Sequence, residues 1–245
     1  MNVFRSIVFS AALSGLIVGS VVTIAQQFGT VPLIAQAEVY ESAAEATEAA
    51  PDAAATSAHE HEPGTAAHSH GDEAWEPTDG IERNSFTAVF NIIDWIGFGL
   101  ILNAIFVIVR RPADLREGLL WGLGGFAAVV IAPSLGLPPE LPGIPAAELT
   151  PRQIWWIGTA VATAVALGLI AFVRSPWALV VAVVLLAAPH LIGAPELEHV
   201  ETNVPEMLSH KFTVAVTLTT LISWALLGTL TTFFYRRFAD APERK

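Results

Sequence analysis

The sequence predicts an all-α membrane protein: a bundle of six transmembrane helices, or five if the short fifth one does not cross, with a disordered His/Glu-rich outer loop. Three observations carry this. Of 245 residues, 53% are hydrophobic and only 14% are charged, whereas an average soluble chain is about a quarter charged and just under half apolar. So few charges cannot cover a compact soluble globule of this length. The apolar residues also come in blocks close to the roughly 20 residues that a helix needs to cross a bilayer. Finally, one long stretch between the first two blocks has almost no large apolar residue.

Taken in order, the blocks are Ser6–Gln26, Phe86–Val109, Glu117–Leu137, Ile154–Val173, Trp177–Gly193 and Phe212–Tyr235. The first is longer than the apolar core of a secretory leader, and Ala35-Gln36-Ala37 lies well beyond its end, so it reads as a retained helix. Ala11, Gly15, Gly19 and Thr23 in that block, and Gly118 with Gly122 in the third, place small residues at four-residue spacing, the pattern of close helix packing in membranes. The interval from Glu41 to Asp79 is built from Ala, Glu, Ser, Thr, Pro, Asp and His. It buries too little to offset its ordering entropy and reads as disordered. The fifth block is the weakest, short and interrupted by Pro189, and the segment Ala132 to Gly143 is too proline-rich for helix and reads as an outer cap or a short buried re-entrant piece. Thr213, Thr217 and Thr220 make a stripe on the last block that reads as packing, because threonines in membranes mostly bond their own backbone. Three regions result: 1–36, the first helix and its flank; 37–85, the outer loop; and 86–245, the helix bundle.

Positive charge gathers on the inner side of membrane proteins. With six helices and the N-terminus inside, nine of the 12 basic residues fall inside and 18 of the 23 acidic residues fall outside. The net charge of −11 argues against nucleic acid as a partner. The absence of cysteine removes disulfides, thiolate metal sites and cysteine nucleophiles. There is no G-x-x-x-x-G-K-[ST], no H-E-x-x-H and no G-x-S-x-G, so phosphate-loop ATP hydrolysis and the common protease motifs are unsupported, and the expectation is not an enzyme.

All seven histidines fall on the expected outer side. His59, His61, His68 and His70 form two H-x-H pairs among carboxylates in the loop, and residues i and i+2 of an extended chain point the same way, so each pair can offer two imidazoles to one ion. Such a loop sets no geometry, so on affinity alone it prefers Ni²⁺, Cu²⁺ or Zn²⁺ over Co²⁺. His190 follows the kink-forming Pro189, and His199 and His210 flank the third outer loop. Within the second block Asp94 is a carboxylate at membrane depth, which is costly and points to a bundle interior or an ion pathway. Glu38, Glu140 and His210 are further candidates near the outer face, with Glu206 one turn from His210 if the last helix begins early.

Several stretches together resemble one family, the predicted cobalt transporter CbtA. They are Ala37-Glu38-Val39-Tyr40-Glu41 and the His/Glu loop; Trp121-Gly122-Leu123-Gly124-Gly125-Phe126 running into Ala132 to Gly143; Arg152-Gln153-Ile154-Trp155-Trp156; Pro189-His190-Leu191-Ile192-Gly193-Ala194-Pro195; and the closing Tyr235-Arg236-Arg237. The resemblance implies a prokaryotic cytoplasmic-membrane protein linked to cobalamin synthesis, importing cobalt beside a one-helix partner subunit, CbtB, that carries histidines. The family is usually described with about five helices, and the histidine loop here is sparse.

The expectation is therefore a transporter subunit for Co²⁺, or Ni²⁺, without its own ATPase and with no tightly bound cofactor. The loop would collect ions, and His190, with Glu38, Glu140 or His210, would pass them to Asp94. The competing expectation is a membrane metal sensor or scaffold that binds ions without moving them.

Overall fold

A computed structural model of the chain describes residues 3–55, 77–78, 80–109, 114–197 and 202–239, with side chains left out at 45–55. Its described residues form helices and no strand: α1 (Val3–Phe28), α2 (Val31–Ala55), α3 (Ile81–Val109), α4 (Leu115–Phe126), α5 (Ala132–Ser134), α6 (Leu149–Phe172), α7 (Pro176–Ile192) and α8 (Glu206–Ala239). A π-helical turn, Ala127–Ile131, joins α4 to α5. It lies directly before Pro133, which has no N–H to give the carbonyl four residues earlier, so the helix widens there instead of breaking. Five helical stretches are long and apolar enough to cross a membrane: α1, α3, α4 through α5, α6 and α8. The fifth expected block, α7, is a 17-residue apolar helix lying beside α6. The chain is a multi-pass membrane protein.

Helix α1 packs against both α3 and α8, and α4 also packs against α8. The small residues permit this. A Cβ built on Gly15 would lie 2.4 Å from the backbone nitrogen of Ile96, and one on Gly228 would lie 2.2 Å from the Gly118 carbonyl oxygen. Backbones this close cannot admit a larger residue, which is the reason for the four-residue spacing. Between the pairs, Trp95 meets Trp224 edge-on at 5.7 Å, with Val18, Leu102, Phe106, Phe126 and Leu227 completing the core. The threonine stripe behaves as expected: Thr213, Thr217 and Thr220 donate to the carbonyls of Ser209, Thr213 and Val216 at 3.0, 2.7 and 2.8 Å.

Two boundaries differ from expectation, while the rest of the expected loop, 56–76, lies outside the described residues. Helix α2 carries regular structure through Glu41 to Ala55, where disorder is expected from Glu41 onward. Alanine and glutamate are strong helix formers, and the start of α2 is anchored: Leu33, Ile34 and Ala37 pack with Leu141, Val204, Leu208 and Phe212 in a second core. That core also explains the proline-rich segment. After the single turn of α5 it runs as an irregular cap whose Leu141 is buried against α2 and α8. The last helix begins at Glu206, earlier than the expected Phe212, because Pro205 supplies the fixed φ of a helix start and its carbonyl accepts from the Leu208 and Ser209 amides.

Candidate functional site

The four loop histidines His59, His61, His68 and His70, together with His199, lie outside the described residues. The remaining candidates are placed, and they are dispersed. Glu38 sits in the second turn of α2 and is held by an ion pair with Arg83 at the start of α3, each side chain about a third to two-fifths exposed. Glu140 in the cap pairs with Arg152 of α6 at 2.6 Å. Both carboxylates are thus engaged with arginines. Their immediate neighbourhood is structural.

His190 is exposed in the last turn of α7, its ring edge-on to Trp155 at 5.9 Å. The preceding Pro189 carbonyl accepts from Trp155 Nε1 and from the Gly193 amide, both at 3.1 Å. The carbonyl beside the imidazole is therefore occupied, and the Pro-His pair works as a clamp between α6 and α7. His210 and Glu206 are both exposed in the first turns of α8. Among the described residues no three His, Asp or Glu side chains come together as a metal-binding group.

Asp94 departs from its expected setting. The buried stripe of α3 is Trp95, Gly99, Leu102, Asn103 and Phe106. One residue turns the helix by about 100°, which puts Asp94 on the outward side of that stripe. It is exposed and has no hydrogen-bond or ion-pair partner among the described residues. Asn91, three residues earlier, lies at the edge of the stripe and is bound inward, donating to Thr23 Oγ1 at 3.0 Å and Gln26 Oε1 at 2.7 Å. The shared spacing of Asn91 and Asp94 therefore does not give them a shared environment. Nor are α3 and α7 packed together, so the structure does not bring His190 to Asp94.

The polar interior lies elsewhere, at positions that sequence reasoning passed over. Ser6, Ser10 and Ser14 are wholly buried along one side of α1, and Ser10 Oγ donates at 3.0 Å to Oδ1 of the equally buried Asn103. Asn103 Nδ2 in turn donates to the Gly99 carbonyl at 2.9 Å. Ser6, Ser14 and Thr231 have buried hydroxyls with no partner among the described residues. The signal was available: three serines at four-residue spacing directly beside the glycine stripe of α1. A cavity of about 700 Å³ also opens between α3, α4 and α6, walled almost wholly by apolar and small residues.

A family model described as "Probable cobalt transporter subunit (CbtA)" matches residues 4–236. The chain belongs to the CbtA family. The match runs through the described spanning helices and the histidine loop, so the family's description as a probable cobalt transporter subunit applies to the whole membrane body. Comparison with curated proteins and with solved structures gives no match.

Proposed function

We propose that this chain is the membrane-embedded uptake subunit for Co²⁺, with Ni²⁺ its nearest competitor, in the cytoplasmic membrane of a prokaryote. Family membership across 4–236 carries the reading. With α7, 17 residues and about 25 Å long at 1.5 Å per residue, crossing beside α6 as a sixth span, the N- and C-termini face the cytoplasm, and the loop containing His59, His61, His68 and His70 faces outward; the bias of basic and acidic residues supports this orientation. The loop raises the local ion concentration, as imidazole and carboxylate groups do for borderline divalent ions. An inside-negative potential then favours entry by about 2.3 kcal/mol per charge per 100 mV, about 4.6 kcal/mol for a divalent ion, so no ATPase in this chain is required. A CbtB-like one-helix subunit works beside it, and the imported metal serves cobalamin synthesis. Because Glu38 and Glu140 are paired with arginines and Asp94 faces outward, the first ligands are the loop histidines with His190 and His210.

The test is ⁵⁷Co accumulation in cells expressing the chain with its partner, against an empty vector and with Ni²⁺ as competitor. Cobalt-dependent accumulation supports the reading, and its absence sinks it. A second reading is a sensor or scaffold that binds metal without moving it; the separation of α7, with His190, from α3, with Asp94, favours it, since among the described residues no ligand series runs from one to the other. Proteoliposome flux separates the two, since a sensor binds ⁵⁷Co without carrying it into the lumen.

A further inference from the structure

The most costly group on the molecule's membrane surface is Asp94. It lies eight residues inside Phe86, about 12 Å along the helix at 1.5 Å per residue, exposed and without a partner among the described residues. A carboxylate at that depth in lipid is expensive and is normally paired or covered by protein.

Its position relative to the open cavity supplies the second observation. Counting along α3, Asp94, Phe98, Ile101 and Ile105 recur at alternating steps of four and three residues, and the last three form one wall of the 700 Å³ groove. The facing wall on α6 includes Ala164 and Gly168, again four apart, and Gly124 of α4 lies on the floor. A Cβ added at Gly124 or at Gly168 would meet nothing within 4 Å. Elsewhere in this protein glycines at such spacing are filled by a neighbouring backbone, as Gly15 is by Ile96. Here three helices present packing seams with the periodicity of helix–helix contact and small residues suited to close approach, and among the described residues no helix lies in them. Asp94 stands at the outer end of the α3 seam.

From this the geometry points to a docking site for one apolar transmembrane helix of a second polypeptide, lying in the groove between α3, α4 and α6 and placing a basic side chain level with Asp94. The apolar walls supply shape, and the carboxylate supplies register and selectivity. A helix without a basic group at that level leaves the charge uncovered, and a lipid chain fills the groove without neutralising it. The inference concerns the seat and the chemistry of its occupant, and it stands whichever ion the protein moves.

The test places a photo-crosslinking residue that inserts into C–H bonds, p-benzoylphenylalanine, at the exposed groove position Ile101 in the full chain in its own membranes, with the adduct sequenced by mass spectrometry. The expected adduct is a peptide from the apolar span of another polypeptide with Lys, Arg or His at the level of Asp94. Its yield falls about tenfold in D94N, is kept in D94E, and is lost in Gly168→Trp, which fills the groove without touching Asp94. Thermal unfolding in detergent identifies any variant that fails to fold, and D94E and G168W give independent readings in that event. Adducts with lipid alone, with a second copy of this chain, or with a span lacking a basic residue overturn the proposal. So does a yield that D94N leaves unchanged in folded protein.

Discussion

Ser10 of α1 donates a 3.0 Å hydrogen bond to Asn103 of α3, with both side chains wholly buried. It ties the central helix to its antiparallel neighbour at a level where the glycine stripe of α1 has given way to serines. Polar bonds between membrane helices average about 0.6 kcal/mol and reach about 1.7 kcal/mol. With Asn103 removed, the Ser10 hydroxyl keeps the Ile7 carbonyl as an acceptor at 3.1 Å, so the loss is not that of an orphaned buried hydroxyl. Asn103→Leu should therefore destabilise the fold by about 1 kcal/mol. Ser10→Ala should cost less, and the double variant less than the two losses added. Denaturation of the purified protein in mixed micelles measures all three; strict additivity would show that the two residues are not coupled.

The contact between α4 and α8 should be far less tolerant. A Cβ at Gly118 would lie 2.7 Å from the Gly228 carbonyl oxygen and 2.1 Å from Thr232 Oγ1. Gly118→Val forces the helices apart, and overpacking of this kind costs about 1–3 kcal/mol or more. Gly158→Ala, at a position with nothing within 4 Å, should stay within about 0.5 kcal/mol of the parent. Equal melting temperatures for the two variants would contradict the packing described here.

Glu38 offers a way to separate a structural carboxylate from a metal ligand. Its partner is Arg83, and partly exposed pairs of this kind contribute about 0–1 kcal/mol. If the ion pair is its role, Glu38→Gln and Arg83→Gln lower cobalt uptake by the same small factor. A loss confined to Glu38→Gln, with Arg83→Gln active, would instead place Glu38 among the ligands. Initial rates of ⁵⁷Co uptake decide between the two.

The loop should govern affinity at low supply and not the transport step. Deleting residues 56–76, which removes His59, His61, His68 and His70 while keeping α2, should reduce uptake several-fold at scarce cobalt and leave the saturating rate unchanged. A rate that collapses at every concentration would move the loop from collector to part of the pathway.

Much of the architecture could be read from local sequence, because the bilayer imposes its length on every spanning segment. The boundaries of α3, α6 and α7 follow the apolar blocks to within a few residues, and the small-residue stripes of α1 and α4 mark contacts that the structure contains. The region after Glu41 could not be read in this way. Its composition carries no burial signal of its own, and α2 is fixed at its start by Leu141, Val204 and Phe212, residues more than a hundred positions away. Asp94 illustrates the same limit at a single residue. That it is a carboxylate at membrane depth follows from its place within an apolar block. Which way it faces does not, because a helix has a buried side only relative to its neighbours. The contacts of Trp95 with Trp224 of α8, Gly99 with Ala11 of α1 and Phe106 with Trp121 of α4 are what turn Asp94 outward. By itself, then, the sequence determined a membrane-spanning chain most of whose acidic residues lie outside its apolar blocks. The tertiary structure decided which polar groups are interior, the serines of α1 with Asn103, and which are left at the surface, since packing partners far apart in the chain choose the buried face of each helix.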